Sequence, residues 1–144
     1  MTLTTEQTLT NGTENNDTEN RPRDALDSAA HSTMKVYFIG AGPGDPDLMT
    51  LKAVKTLKLC PVVLYAGSLI PREVIADVED SVERLFDTAK MNLDETTAVI
   101  EQAFKEGKNV ARLQCGDPAL YGAIGEQMRR LDGLGIDYEV IPGV

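Results

Sequence analysis

The sequence contains no tryptophan, one histidine and two cysteines, and aromatic residues make up only 5% of it. One histidine and two distant cysteines, Cys60 and Cys115, with no CxxC pair, argue against a structural zinc site. The two cysteines also do not form the dense disulfide framework that stabilises small secreted domains, which indicates a reducing compartment. We therefore expect a cytoplasmic protein that needs no metal.

Basic residues and long apolar runs are also scarce. The chain has 14 Lys and Arg against 23 Asp and Glu, a formal net charge of −9. Nucleic-acid binding requires clustered basic side chains that neutralise phosphates, and this balance argues against it. No apolar run approaches the roughly 20 residues of a membrane helix, and the N-terminus lacks the pattern of a secretory signal. We expect no nucleic-acid partner and no membrane partner.

The composition changes at residue 34. Residues 1–33 include only seven hydrophobic residues and are rich in Thr, Asn and Glu. Such a segment cannot bury enough apolar surface to offset the entropy of ordering its backbone. We predict that residues 1–33 are a disordered polar extension and that residues 34–144 form one α/β domain.

Within residues 34–144, short apolar runs alternate with segments of helical spacing. Alternation of this kind is typical of a doubly wound, mainly parallel sheet with helices on both faces, here with five strands. Ligands bind such sheets at the carboxyl ends of the strands. The predicted strands are Lys35–Ile39, Pro61–Tyr65, Val82–Phe86, Asn109–Leu113 and Tyr138–Ile141, and the predicted helices are Leu48–Leu59, Pro71–Val78, Leu93–Phe104 with Gly107 as the C-cap, and Ala123–Leu131.

The loop after the first predicted strand reads Gly40-Ala41-Gly42-Pro43-Gly44-Asp45-Pro46. Its three glycines allow a close approach of the backbone to a ligand or to another segment. The dinucleotide fingerprint requires glycine where Asp45 stands, and a carboxylate there would repel a pyrophosphate. A dinucleotide-binding oxidoreductase is therefore disfavoured, whereas Asp45 suits a helix cap.

The loop after the fourth predicted strand contains a second Gly-Asp-Pro element, Gly116-Asp117-Pro118, preceded by Cys115. Gly116 permits a tight turn, and Pro118 suits the first turn of a helix. Asp117 could cap that helix, or it could hold ribose hydroxyls or an ammonium group of a ligand. Both interpretations stay open, although two such elements at one sheet edge favour a binding site.

Four stretches of this chain resemble, in order, the tetrapyrrole methylases, which are S-adenosylmethionine-dependent enzymes of corrin and sirohaem synthesis. They are VYFIGAGPGDPDLMTLKA (36–53), VVLYAGSL (62–69), VARLQCGDPALYGAIGEQ (110–127) and YEVIPGV (138–144). The resemblance implies that S-adenosylmethionine contacts Pro43, Cys115, Gly116, Asp117 and Leu120. It also implies that the tetrapyrrole substrate lies near Gly42, Gly44, Asp45, Ala66, Gly67 and Ser68.

Within this family, AGSL at residues 66–69 resembles the members that act on precorrin-4 or cobalt-precorrin-4 at carbon 11. Members that methylate uroporphyrinogen III usually carry an aspartate where Ala66 stands, as a proposed proton acceptor. The resemblance therefore leaves the catalytic residue unassigned and implies catalysis mainly by positioning. Because the substrate carries many carboxylates, we expect local basic side chains to compensate for the net negative charge, with Lys52, Arg72, Lys90 and Arg112 as candidates.

The resemblance further implies that these residues are the first of two α/β domains, that the donor binds between the two, and that the complete enzyme is a homodimer. A second domain would follow Pro142-Gly143-Val144, so we expect this chain alone to bind the donor weakly and to show little turnover. Two alternatives stay open. One is a tetrapyrrole methylase that acts at another ring carbon, and the other is a non-catalytic α/β nucleotide-binding or interaction module.

Overall fold

The computed structural model describes residues 34–118 and 124–144. The predicted extension at residues 1–33 and the predicted donor contact Leu120 therefore lie outside the described residues.

The described residues alternate between strands and helices as the sequence predicts. Each predicted strand is present, with its start or end displaced by no more than two residues. The strands are β1 (Val36–Gly40), β2 (Val62–Tyr65), β3 (Arg84–Asp87), β4 (Val110–Gln114) and β5 (Tyr138–Ile141). The α-helices are α1 (Leu51–Leu57), α2 (Leu93–Glu106) and α3 (Ile124–Leu134), and 3-10 helices span Pro46–Leu48, Arg72–Ser81 and Thr88–Lys90.

The five strands form one sheet in the order β3-β2-β4-β1-β5. Every pair of neighbouring strands is parallel, and the register aligns Val36 of β1 with Val110 of β4 and with Tyr138 of β5. All five carboxyl ends therefore lie at one edge of the sheet. The prediction of a five-stranded, parallel α/β fold is confirmed.

Each face of the sheet carries its own apolar core. On one face, Ile39, Val63 and Leu113 pack with α1 and with the 3-10 helix Arg72–Ser81. On the other face, the strands pack against α2 and α3 through buried side chains that include Phe38, Leu64, Ile100 and Leu131. Helices thus cover both faces, and the continuous apolar runs of β1, β2 and β4 reflect strands that are buried on both sides.

Helix α2 begins and ends where its sequence indicates. The Asn92 side chain accepts a hydrogen bond from the Glu95 backbone N–H (2.8 Å), and the Glu95 carboxylate accepts one from the Asn92 N–H (2.9 Å), which forms a capping box. The helix ends at Gly107, whose φ of 71° lies in the left-handed region. The predicted C-cap is therefore confirmed.

The helix predicted over Leu48–Leu59 is wrong in its extent. Thr50 lies between a 3-10 turn and α1, and its hydroxyl caps α1 by accepting from the Ala53 N–H (3.0 Å). Helix α1 starts at residue 51, and its buried side chains are Ala53, Thr56 and Leu57. Leu48 and Leu51 stay 44% and 78% exposed instead of packing on the core.

Two other predicted helices differ from the structure. The segment predicted as Pro71–Val78 is a 3-10 helix over Arg72–Ser81, and its buried side chains Val74, Ile75 and Val78 follow the three- and four-residue spacing of a single apolar stripe. Helix α3 continues to Leu134, beyond the predicted end at Leu131, and Gly135 with φ of 72° follows it. Among the described residues, no helix is long and apolar enough to cross a membrane.

Candidate active site

The loops after β1 and β4 are joined backbone to backbone at the carboxyl edge of the sheet. The Gly116 N–H donates to the Gly42 carbonyl (2.9 Å), and the Gly42 N–H donates to the Gly116 carbonyl (3.3 Å). Both glycines have left-handed φ angles, 72° and 69°, which a residue with a side chain rarely adopts. The fold thus brings the two glycine-rich loops together, as the sequence predicts.

Glycines at the ends of β1 and β5 close the same junction. A Cβ atom on Gly40 would lie 2.5 Å from the Gly116 carbonyl oxygen and 2.6 Å from the Gly143 nitrogen. A Cβ atom on Gly143 would lie 2.4 Å from that same oxygen. Three loops therefore meet with no room for a methyl group between their backbones. Gly143 was not among the predicted site residues, although a glycine two residues after a predicted strand is the signal that could have indicated it.

The loop after β1 presents its remaining residues outward. Pro43 and Asp45 are exposed, and Gly44 is half-buried beside Pro71. One Asp45 carboxylate oxygen, Oδ1, accepts a hydrogen bond from the Asp47 N–H (2.9 Å), so Asp45 caps the 3-10 helix Pro46–Leu48. The capping prediction is confirmed.

The loop after β4 places its described residues at different depths. Gly116 is buried under the neighbouring loops, whereas Cys115 and Asp117 are half-buried. The Cys115 side chain packs against the core on the α1 face of the sheet. Asp117 therefore lies beside the Gly42–Gly116 junction and retains partial access to solvent.

The turn after β2 contains Ala66, Gly67 and Ser68. The Ala66 carbonyl accepts hydrogen bonds from the N–H groups of Leu69 and Ile70 (both 2.9 Å), which closes the turn. Gly67 and Ser68 are exposed and Ala66 is half-buried. Like the glycine-rich loops, the turn lies at the carboxyl edge of the sheet.

Asp87 fixes this turn, and sequence analysis missed it. Its Oδ1 accepts hydrogen bonds from the N–H groups of Gly67 (2.8 Å) and Ala89 (2.9 Å). The N–H of Ala89 and then that of Gly67 are the main causes that lower the pKa of the Asp87 carboxyl, since both bonds favour the ionised form. A Cβ atom on Gly67 would lie 2.3 Å from Asp87 Oδ2. The position of Asp87 at the end of β3, directly after a predicted strand, was the available signal.

The four basic candidates differ in their surroundings. Lys52 forms an ion pair with Glu139 (3.5 Å), Arg72 pairs with Glu79, and Lys90 is exposed at the end of a short 3-10 helix. Arg112, in contrast, lies in β4 at the centre of the sheet and borders a cavity of 280 Å³. The described residues contain no group of three or more His, Cys, Asp or Glu side chains that could hold a metal ion.

The family model of the Tetrapyrrole (Corrin/Porphyrin) Methylases matches residues 35–144. This match includes every element of the described fold and all of the loops at the carboxyl edge. The chain belongs to this family.

Two named relatives are about 50% identical in sequence to this chain. The chain is 50% identical over 111 residues to the precorrin-4 C(11)-methyltransferase of Pseudomonas aeruginosa, an alignment that covers 77% of this chain and 44% of the relative. The X-ray structure of a cobalt precorrin-4 methyltransferase, a cobalamin biosynthetic enzyme, superposes with a TM-score of 0.73 at 49% identity and covers 77% of this chain and 46% of that one. The chain thus spans less than half the length of these methylases.

A third methylase has been solved with a ligand. The uroporphyrin-III C-methyl transferase of Thermus thermophilus, complexed with S-adenyl homocysteine, superposes with a TM-score of 0.63 at 38% identity. The alignment covers 76% of this chain and 45% of that structure. This ligand is the demethylated form of S-adenosylmethionine, so a family member with this fold binds the product of the methyl donor.

Proposed function

We propose that this chain supplies donor-binding and substrate-binding loops of an S-adenosylmethionine-dependent methyltransferase that acts at carbon 11 of precorrin-4 or cobalt-precorrin-4 in cobalamin biosynthesis. The observation that carries the proposal is the Gly42–Gly116 junction, which joins the two family loops at the carboxyl edge of the sheet. The names of the relatives at about 50% identity supply the substrate. The proposal concerns the whole enzyme, of which this chain represents less than half the typical length.

The donor side of the proposed site consists of the loops after β1 and β4. Pro43 is exposed on one loop, and Cys115, Gly116 and Asp117 form the other, with Leu120 following in the sequence. The mutual hydrogen bonds of Gly42 and Gly116 hold these two loops side by side at the carboxyl edge. The half-buried Asp117 carboxylate is a suitable acceptor for ribose hydroxyls or an ammonium group. When bound, S-adenosylmethionine supplies a methyl group already activated by its positive sulfonium.

The substrate side consists of Gly42, Gly44 and Asp45 on one loop and Ala66, Gly67 and Ser68 on the turn after β2. The hydrogen bond from the Gly67 N–H to Asp87 holds this turn against β3. The Asp87 carboxylate is a poor proton acceptor because its pKa is lowered and its Oδ1 already accepts two N–H groups. Asp87 is therefore a positioning residue, and we assign no general base to this chain.

The proposal also covers the cellular compartment, the oligomeric state and the metal and nucleic-acid binding of the enzyme. The thiols of Cys60 and Cys115 are both unpaired in the structure, which suits the reducing cytoplasm. We expect the complete enzyme to be a homodimer that needs no metal for methyl transfer and binds no nucleic acid.

A chimaeric enzyme tests the proposed reaction. Residues 34–144 of this chain replace the matched segment of the Pseudomonas aeruginosa relative, and radiolabelled S-adenosylmethionine reports methyl transfer to precorrin-4, cobalt-precorrin-4 and uroporphyrinogen III. We expect transfer to one of the first two substrates and none to uroporphyrinogen III. A chimaera that folds and binds S-adenosylhomocysteine but methylates only uroporphyrinogen III would refute the substrate assignment.

The chain itself tests the donor loops. Calorimetric titration with S-adenosylhomocysteine should give weak binding, and Asp117→Asn should raise the dissociation constant about tenfold, a loss of about 1.4 kcal/mol. Asp77→Asn removes a charge from an exposed residue of the 3-10 helix Arg72–Ser81 and should leave the constant unchanged. Equal constants for both variants would show that Asp117 does not contact the donor.

A further inference from the structure

Arg112 is a half-buried cation that the loops described above do not use. It lies in β4, and its side chain extends toward the face of the sheet that α2 and α3 cover. Its Nε–H donates to Gln127 Oε1 (3.2 Å) and its Nη1 donates to the Leu113 carbonyl (3.4 Å). Both acceptors are neutral, and within residues 34–118 and 124–144 no carboxylate forms an ion pair with Arg112.

Partial burial without a carboxylate partner is unfavourable for a guanidinium. Desolvation lowers the pKa of Arg112, which expresses the cost of removing its charge from water. A guanidinium carries five N–H donors in a planar fork that matches the two oxygens of a carboxylate. Arg112 therefore combines an uncompensated positive charge with the geometry of an anion receptor.

The cavity beside Arg112 has room for such an anion. Its volume is 280 Å³, several times the roughly 30 Å³ that one water molecule occupies in the liquid. The polar lining residues are Thr88, Asn92, Thr96, Arg112, Glu126 and Gln127. The apolar lining residues are Met91 and Leu93. The cavity thus offers apolar walls for a hydrocarbon stem and polar groups for its charged end.

The charges around the cavity favour a negative ligand. Glu126 is the acidic residue in the lining, and it pairs with Arg129 (2.7 Å), so a neighbouring cation offsets its charge. Asn92 is the N-cap of α2, so the positive end of this 14-residue helix also lies at the cavity wall. Arg112 is the cation that lines the cavity itself.

The cavity adjoins the turn that the proposed function assigns to the substrate. Thr88 lines it, and the Thr88 hydroxyl donates to the Tyr65 carbonyl (3.2 Å) at the end of β2. The preceding residue, Asp87, accepts the hydrogen bond from Gly67. Hydrogen bonds therefore join the turn at residues 66–68 to the segment that lines the cavity.

We infer that the cavity around Arg112 is a subsite for one side-chain carboxylate of the tetrapyrrole substrate, which Arg112 binds through its guanidinium. This inference rests on the proposed function, because the ligand is a polycarboxylated macrocycle. It assigns the positive charge of Arg112 to substrate recognition and makes Arg112 a specificity-determining residue of the reaction.

The first test uses uroporphyrin III, a stable tetrapyrrole with eight carboxylates, and follows its own fluorescence as the chain is added. We expect Arg112→Gln to raise the dissociation constant at least tenfold and Arg112→Lys to give an intermediate value, since a lysine retains the charge without the fork. Arg84→Gln is the matched control, because Arg84 lies at the amino end of β3 and pairs with Glu106 (2.5 Å). It should change the constant by less than twofold.

A second measurement is made on the wild-type chain and needs a variant only to assign one resonance. The Nε–H resonance of Arg112 in the wild-type chain, identified by its loss in Arg112→Lys, should shift when uroporphyrin III is added. An unmoved resonance, equal dissociation constants for wild type and Arg112→Gln, or no binding of uroporphyrin III by the wild type would each overturn the subsite.

The failure of the subsite can be distinguished from the failure of the proposed function. S-adenosylhomocysteine should bind wild type and Arg112→Gln equally, because the Arg112 guanidinium bonds Gln127 of α3, whereas Cys115 of the donor loop packs against the core on the α1 face. If the wild type binds the porphyrin through Arg112 but no S-adenosylhomocysteine, the subsite stands and the methyltransferase proposal fails. If it binds only S-adenosylhomocysteine, the subsite fails and the donor loops stand.

Discussion

Replacing Gly40 by alanine would test whether the three loops are held by backbone contact. The added methyl group would lie 2.5 Å from the Gly116 oxygen and 2.6 and 2.7 Å from two backbone atoms of Gly143. All three neighbours are backbone atoms, so none can move aside by rotating a side chain. Overpacking of this kind costs about 1–3 kcal/mol, and we expect a value near the upper limit.

That cost corresponds to a measurable loss of thermal stability. A domain of about 100 residues loses roughly 4 °C per kcal/mol, so Gly40→Ala should lower the melting temperature by about 12 °C. Circular dichroism of the helices as a function of temperature measures this change, with urea denaturation as an independent check of the free energy. S-adenosylhomocysteine binding should weaken in the same variant because the Gly42–Gly116 junction must shift.

The matched control makes the same substitution where space is available. Gly133 is exposed in α3, and a Cβ atom there would meet nothing within 4 Å. Gly133→Ala should therefore raise the stability by about 0.4–1 kcal/mol, since alanine loses less conformational entropy in a helix. If both variants were as stable as the wild type, the close approach at Gly40 would not exist in solution and the argument for a rigid loop junction would fail.

Two side chains with displaced pKa values give further predictions. Because hydrogen bonds hold the folded-state pKa of Asp87 below 3.8, its ionised form stabilises the fold at neutral pH, and this contribution disappears as the pH falls through the lowered pKa. Asp87→Asn should thus lower the midpoint of the unfolding transition at pH 7, and that midpoint should fall less steeply than in the wild type below about pH 4. The exposed control Asp77→Asn should show the same dependence of the midpoint on pH as the wild type. Burial raises the pKa of Cys60 to about 12, so its thiol should resist iodoacetamide at pH 8 until the protein unfolds, and rapid labelling of the Cys60 peptide in native buffer would contradict its burial.

The sequence predicted the sheet well because strands buried on both faces leave a clear pattern. Runs such as PVVLY consist of adjacent apolar residues, and the glycine and proline residues around them mark the loops. The order of the strands follows from none of these local signals. The strand order depends on how the strands pack with α1 and α2, and this packing exists only in the assembled core.

Helix boundaries were predicted less accurately for identifiable reasons. A repeat of apolar residues every three positions, at Leu48, Leu51, Val54 and Leu57, predicted one continuous helix. In the structure Thr50 caps α1 and interrupts this segment, and Leu48 and Leu51 are exposed to solvent. A short polar cap of this kind outweighs apolar spacing because a seven-residue helix has few internal hydrogen bonds of its own.

The candidate site was predicted where it depends on loop chemistry and missed where it depends on contacts between distant segments. The sequence indicated that the glycine-rich loops would meet, because parallel strands share one carboxyl edge. Asp87 and Gly67 are 20 residues apart, and only the adjacency of β2 and β3 brings them together. The cavity beside Arg112 likewise requires β4, α2 and α3 to be packed, so a strand pattern could not reveal it.

The position of β4 has a consequence for how the protein forms during synthesis. Within residues 34–118 and 124–144, β1 pairs with β4 and β5, and β2 pairs with β3 and β4. A nascent chain that has not yet reached Val110 therefore holds β1 without either of these partner strands, together with a separate β2–β3 pair whose β4 edge is open. The sheet becomes continuous only when β4 inserts between β1 and β2. The ribosome must therefore release most of the domain before either core is complete. Until β4 is in place the strand edges stay exposed, and aggregation would begin at these edges.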